Sequence, residues 1–351
     1  MPDPYALLFE PILKEKIWGG RRLRNYGKAI GGSGTEGPKF GESWEIADLA
    51  ATSTSGGGGG AAVSVISNGE FAGQTIADAI GAWGAALLGE AGMERARLIG
   101  EQTGAGRAVF PLLVKYLDAG EHLSVQVHPS PAYAEAHPVA HLKTESWFVI
   151  QAERAAMPDG STIDPSVFVG LKAGVSRESF CAAIQDGTAA ELLRTLPARP
   201  GECCTLPSGT VHALGAGVLV AEVQTPSDTT FRVYDWVREY SRPERELHIE
   251  QAMACINFDG KNAQPGAGEA GADRAAETDF YTMDSVPGAI DLPGDRMSIV
   301  MVHGGAGRLT GAGDPVDVGP GTTVLVPASI AGNARLEDHG SLKSLIIGLG
   351  G

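Results

Sequence analysis

Nine short runs rich in Val, Ile, Leu and aromatic residues recur along the chain, most of them bounded by Gly or Pro. They are Ser43–Ala47, Phe110–Leu117, Leu123–Val127, Ser146–Ile150, Val218–Gln224, Thr229–Trp236, Met297–Val302, Thr322–Pro327 and Leu342–Ile347. Helical segments do not alternate regularly with them, which argues against a doubly wound parallel sheet and for antiparallel barrels or jelly rolls. The 49 glycines and 21 prolines make up about a fifth of the 351 residues and follow no fixed period, as tight turns between strands require. The expected fold is mainly β, with two jelly-roll-like units and small helical insertions.

Two stretches carry a helical period. Gln74–Leu88 places Ile76, Ile80, Trp83, Leu87 and Leu88 at helical spacing behind Thr75, a suitable N-cap. Ser176–Leu196 predicts a pair of short helices: Ser176 caps the first, with Glu178 in its first turn, and Asp186-Gly187 breaks it. Thr188-x-x-Glu191 is a capping-box pattern for the second, which Pro197 ends. The helical insertions are thus expected near residues 74–90 and 176–196, with one more helix near Ile249–Ile256. Glycine-rich Gly31–Gly37, Gly56–Gly60 and Ala263–Gly271 predict loops, since glycine has neither a side chain to pack nor a φ preference. The last of them divides the chain into a larger unit over residues 1–260, a linker over 261–274 and a smaller β unit over 275–351.

Composition narrows the partners. Hydrophobic residues make up 43% of the chain, enough for a core and too many for a disordered segment. With 27 Lys and Arg against 42 Asp and Glu, the formal charge is −15. That argues against nucleic acid and anionic membranes, which need a basic face. A small phosphorylated molecule is still allowed, held by a local cluster of cations. The four cysteines, Cys181, Cys203, Cys204 and Cys255, form no CxxC and fit a reducing compartment. No apolar run approaches the ~18 residues of a membrane span, and no secretory leader is legible near Met1. The expected location is cytoplasmic, as a monomer or small homo-oligomer. No P-loop or GxSxG elbow occurs, and Gly104-Ala105-Gly106 and Gly305-Ala306-Gly307 lack the third glycine of a dinucleotide-binding fingerprint.

Three segments carry groups suited to chemistry. In Leu123–Val127 and the residue after it, Gln126 and His128 are two apart, so a strand puts both on one face while Val125 and Val127 take the other. In His141–Ile150, Glu145 opens a strand whose same face carries Trp147 and Val149. In Pro207–Leu214, a Pro-Ser-Gly turn precedes His212. Two imidazoles, a carboxylate and an amide oxygen form a donor set for Zn²⁺ or another divalent first-row ion. Singly these residues have plainer readings, a turn histidine or a solvated carboxylate, and no spacing as diagnostic as HExxH supports them. Lys115, Lys143 and Arg232 fall in or beside the same segments and could build an anion pocket, although each alone also reads as an ordinary surface cation.

Five segments in order resemble the type I mannose-6-phosphate isomerases, the cupin-fold phosphomannose isomerases, and most closely their short bacterial form. They are KIWGG (Lys16–Gly20), GESWEIAD (Gly41–Asp48), FPLLVKYLDAGEHLSVQVHP (Phe110–Pro129), KTESWFVI (Lys143–Ile150) and PSGTVHALGAGVLVAEVQTPSDTTFRVYDW (Pro207–Trp236). The resemblance weakens after about Gly260. It implies a cupin fold and a zinc-dependent isomerase that interconverts mannose 6-phosphate and fructose 6-phosphate through an enediol. It also implies Gln126, His128, Glu145 and His212 as metal ligands, with Lys115 and Ser124 as phosphate and sugar contacts. Lys143, Arg232 and Asp228 fall on the family's lysine before the ligand glutamate, its catalytic arginine and the aspartate four residues earlier. Where longer members carry a histidine directly before that lysine, this chain has Leu142, with His141 one residue earlier.

The chemistry is coherent with these residue types. A divalent ion polarises the carbonyl and adjacent hydroxyl, and Arg232 stabilises the enediolate. Three groups remain open as the general base: Lys143, Asp228 or a hydroxide on the metal. Other classes are a cupin acting on a different phosphosugar, an iron dioxygenase, and a non-catalytic sugar-binding cupin. The glutamine in the donor set and the neighbouring cations argue against the dioxygenase.

Overall fold

The computed structural model describes residues 2–28, 30, 38–49, 62–259, 274–294 and 296–350. The expected loops Gly31–Gly37 and Gly56–Gly60 and all but the last residue of the 261–274 linker lie outside the described residues. The chain is mainly β, as its punctuated runs predict. Its larger part is a jelly roll of two facing antiparallel sheets. The six-stranded sheet runs Cys203–Leu206, Glu145–Ala152, Val218–Gln224, Leu113–Asp118, Phe40–Ile46, Ile12–Gly20, in that spatial order. The five-stranded sheet runs Leu193–Pro197, Ser166–Leu171, His212–Leu214, Val125–Val127, Phe231–Tyr234.

Period two sorts the side chains of each strand. On the six-stranded sheet, Trp147, Val149, Leu117, Val218 and Val220 turn inward. They pack against Val167, Val169, Leu123 and Leu214 of the facing half. The alternate residues Phe148, Tyr116, Val114, Leu219, Ala221 and Val223 turn outward onto a third sheet. That eight-stranded sheet is drawn chiefly from the C-terminal part. It is built around the long strands Ser298–Thr310 and Arg335–Leu349 and contributes Tyr281, Met283, Ile299, Met301, Leu345 and Ile347 to the shared core. Its edge is completed by Leu7–Leu8 pairing with Thr323–Val326. The six-stranded sheet is therefore buried on both faces.

The first helical insertion forms as its pattern predicts. Thr75 caps Ile76–Trp83 in a capping box with Asp78, and Ile76, Ile80, Trp83, Leu87 and Leu88 are buried. The next helix, Glu90–Gln102, has no counterpart in the sequence reading. It lacks a side-chain cap and contains Gly92 and Gly100. Gly100 is a close approach: a Cβ there would collide with the carbonyl of Arg107. The second insertion needs a correction. Ser176 caps Arg177–Asp186, and Gly187 closes it in a left-handed conformation. The capping box at Thr188 does not form, and Ala189–Leu192 is a single 3₁₀ turn leading into the strand Leu193–Pro197. Pairing of that strand with Ser166–Leu171 outcompetes the local capping signal. Ile249–Cys255 is helical, as expected. Among the described residues, no helix is long and apolar enough to cross a membrane.

Candidate metal centre and active site

One rung of the five-stranded sheet assembles much of the site. His212 lies opposite Gln126 on one side, and Arg232 lies opposite Gln126 on the other. Their neighbours Val125, Val127, Ala213, Phe231 and Val233 point away into the packing beneath two helices. Strand alternation thus separates the polar rung from its apolar support.

The six-stranded sheet supplies the facing groups. Glu145 begins one strand, and Glu222 and Lys115 are direct cross-strand partners 3.3 Å apart. Glu42 joins them from the next strand. Its carboxylate is 3.1 Å from Lys16 and 3.8 Å from Lys115, and it accepts a 2.6 Å bond from the Trp44 indole. Between the sheets lies a cleft. Its walls include Lys115, Ser124, Gln126, Lys143, Glu145, Asp228 and Arg232. His128 and His212 sit against Glu145, each 1% exposed. All nine residues singled out from the sequence are therefore gathered in one place. Lys115, Lys143 and Arg232, which singly also read as surface cations, are all buried.

The three protein groups best suited to a metal are His128, Glu145 and His212, with donor atoms within 4.8 Å of one another. The Nδ1 of His128 is 2.9 Å from the Thr229 carbonyl, and that of His212 is 2.8 Å from the Thr210 carbonyl. A carbonyl can only accept, so each Nδ1 carries a proton and each Nε2 faces the carboxylate. Those two Nε2 atoms lie 3.3 and 3.0 Å from the Glu145 carboxylate. Burial, and then the nearby Lys143 ammonium, push the His128 pKa down to about 3, so this ring is neutral at pH 7. Burial alone would raise the Glu145 pKa, but Lys143, 2.9 Å away, together with His128 and His212 outweighs it and holds the carboxyl ionised.

Two imidazole nitrogens thus converge on one carboxylate, and neither Glu145 oxygen has a well-formed hydrogen bond. Buried imidazole and carboxylate groups converging in this way fit a divalent metal. The Gln126 amide is 3.4 Å from the same His212 nitrogen, and its other end is 3.4 Å from Ser124 Oγ.

Several groups here were not singled out as site residues from the sequence. Glu222 is 1% exposed. Burial first, then the adjacent Glu145 carboxylate, outweigh Lys115 and push its pKa up to about 8. Its only sequence signal was a carboxylate inside the apolar strand VLVAEVQ. Glu42, Lys16, Trp18 and Trp44 line the cleft from the KIWGG and GESWEIAD segments, and Arg245 lines it from a later loop. Burial acts first on Glu42 too, but Lys115, Lys16 and the Trp44 indole overcome it and hold its pKa down at about 2. His141 and Leu142 line a different, larger cleft beside the helix Glu90–Gln102. His141 is thus not among the residues lining the catalytic cleft.

No family model matches the chain. Over 335 residues it is 33% identical to the Bacillus subtilis protein named "Probable mannose-6-phosphate isomerase GmuF", covering 92% of this chain and 94% of that one. It is 36% identical over 269 residues to the mannose-6-phosphate isomerase of Streptococcus mutans, covering 76% and 72% of the two chains. The crystal structure of the mannose 6-phosphate isomerase from Bacillus subtilis matches 98% of this chain and 99% of its own, with a TM-score of 0.74 at 25% identity. With one relative matched over nearly its whole length and the sheets of this fold enclosing such a cleft, the chain belongs to the mannose-6-phosphate isomerase family.

Proposed function

We propose that the chain interconverts mannose 6-phosphate and fructose 6-phosphate in this cleft, with a divalent metal held by Gln126, His128, Glu145 and His212. The observation that carries the metal is the convergence of two imidazole Nε2 atoms on one buried carboxylate. Turned about its terminal bond, the Gln126 amide would add its oxygen and leave its nitrogen to Ser124. Amide orientation is set by the network around it. Imidazole, carboxylate and amide donors suit zinc. When bound, the ion supplies Lewis-acid polarisation of the sugar's carbonyl and neighbouring hydroxyl.

The chain's own residues do the remaining work. Five cations line the cleft (Lys16, Lys115, Lys143, Arg232 and Arg245) against four carboxylates (Glu42, Glu145, Glu222 and Asp228). A chain of net charge −15 thus keeps a locally cationic pocket, which suits a sugar phosphate. Lys115 and Ser124 bind and orient the substrate, so that binding energy far from the reacting carbons holds them in place. Arg232 donates from Nη1 to the Glu246 carbonyl at 2.6 Å, and its buried Nε has no hydrogen-bond partner. That free donor is suited to the oxygen that gains charge in the enediolate. Lys143, 3.2 Å from His128 Nε2 and 2.9 Å from Glu145, keeps the carboxylate ionised and so able to bind the metal. We assign to Asp228 the transfer of the proton between C2 and C1.

The test is a coupled assay of mannose 6-phosphate conversion, run before and after chelation and again after zinc is restored. Activity should vanish with chelator and return with zinc. A folded, metal-loaded chain that does not convert mannose 6-phosphate would overturn the assignment in favour of another phosphosugar or a binding role.

A further inference from the structure

The segment after the strand Phe231–Tyr234 is held more tightly than a connection requires. Trp236 and Ser241 both sit in the left-handed region, with φ of 52° and 50°. Non-glycine residues stay there only when their surroundings impose it. The Trp236 indole donates to the Leu123 carbonyl at 2.7 Å. Past Ser241 the chain turns back along the strand, and the His248 amide donates to the Arg232 carbonyl at 2.8 Å.

Asp235, 3% exposed, ties this returning segment down. Its Oδ2 accepts from Arg245 Nε at 2.6 Å, and its Oδ1 accepts from Arg245 Nη2 and, at 3.4 Å, from Arg242 Nη2. The two guanidiniums have different fates. Arg242 is buried and committed to the backbone, donating to the carbonyls of Asp235 at 2.9 Å and His122 at 3.0 Å. Arg245 is 28% exposed and lines the cleft with Arg232 and Asp228. With its Nε and Nη2 on Asp235, the Nη1–Nη2 edge of the planar fork is left for another acceptor.

We propose that Asp235 is a positioning residue that presets Arg245 at the cleft, and that the open edge of Arg245 contacts the phosphate of the sugar substrate. This rests on the sugar-phosphate reading given above. A guanidinium already ordered by a two-point ion pair loses little freedom when it binds, and its fork matches two phosphate oxygens.

The experiment uses the full, metal-loaded chain. Inorganic phosphate is titrated by calorimetry into the parent protein, Asp235→Asn, Arg245→Ala and the double variant, and KM and kcat for mannose 6-phosphate are measured on each. Arg245→Ala and Asp235→Asn should each weaken phosphate about 10- to 100-fold, the range of a hydrogen bond to a charged group. Most of their loss in kcat/KM should appear in KM. The double variant should be no weaker than Arg245→Ala, because the two residues act as one unit.

Phosphate affinity and KM unchanged in Arg245→Ala would overturn the proposal, as would losses that simply add. Arg245 is partly exposed, so its variant decides the question even if Asp235→Asn fails to fold. Arg245-dependent phosphate binding without isomerase activity would sink the assigned reaction and leave this contact standing. Full turnover with KM unmoved by Arg245→Ala would do the reverse.

Discussion

Two antiparallel sheets lie back to back in this molecule and use their buried residues differently. The six-stranded sheet of the jelly roll carries Glu42, Lys115, Glu145 and Glu222 on its inner face, all nearly inaccessible. The eight-stranded sheet behind it is apolar on both faces. From Arg274 onward, the buried polar residues among those described are Ser298, Thr323 and Ser344, none of them charged. Isolated charges in a protein interior cost several kcal/mol each and are kept only when paired. Here they are paired with one another around a cleft, and the C-terminal sheet supplies an apolar backing that asks nothing in return. Alternation along a single set of strands thus gives one face the charges of the cleft and the other most of the apolar backing, where the buried charges Glu45 and Asp118 are paired with Lys28 and Arg22.

That contrast can be broken or sharpened by substitution. The largest effect should come from the inner face. His128→Ala should weaken metal binding by more than ~100-fold, beyond what is usual for loss of an outer-shell partner, and abolish isomerase activity while the chain still folds. Metal analysis together with the coupled assay checks it, and near-normal metal content and rate would refute the ligand assignment.

Arg232→Ala should cut kcat by about 10²- to 10³-fold, the scale of losing one charge-stabilising donor, with metal retained. A loss confined to KM would move Arg232 from catalysis to binding.

Behind the sheet the expectation reverses. Leu345→Ala, at a fully buried position of the shared core, should cost about 2–5 kcal/mol of stability. Chemical denaturation would show this, while KM and kcat of the folded fraction stay near the parent values. A comparable loss of turnover would mean the two faces are not independent.

The smallest effect is expected at the seam. The Tyr281 hydroxyl donates to Ser146 Oγ at 2.9 Å, next to Glu145. Tyr281→Phe should lower stability by about 1 kcal/mol and leave metal affinity unchanged. A shift in metal affinity would show that the C-terminal sheet tunes the ligand set.

How far the sequence could be read varied with the kind of signal. Strands such as Val218–Gln224 and the helix capped by Thr75 announced themselves through local composition and spacing. The helix Glu90–Gln102 did not, since glycines and a missing cap hide a segment whose helicity comes from packing. The Thr188 capping pattern misled, because strand pairing at Leu193–Pro197 outweighed it. For the cleft, Gln126 and His128 were legible as a period-two pair and Glu145 as a carboxylate opening a strand. Glu222, inside an apolar strand, carried no sign of its neighbour Lys115 on another strand.

Local chemistry alone therefore determined much about this protein. Gly and Pro punctuation dictates short antiparallel strands, and alternation assigns each side chain a face. The five ordered segments also point to the family, because their residue types carry the resemblance without any fold. Tertiary structure alone decided which faces meet. Strand register sets His212, Gln126 and Arg232 on one rung, and sheet stacking brings Glu145 against two histidines from the opposite sheet. The loop after Tyr234 returns to hang Arg245 over the cleft. Such contacts join residues tens of positions apart, and no local propensity encodes a distance across that separation.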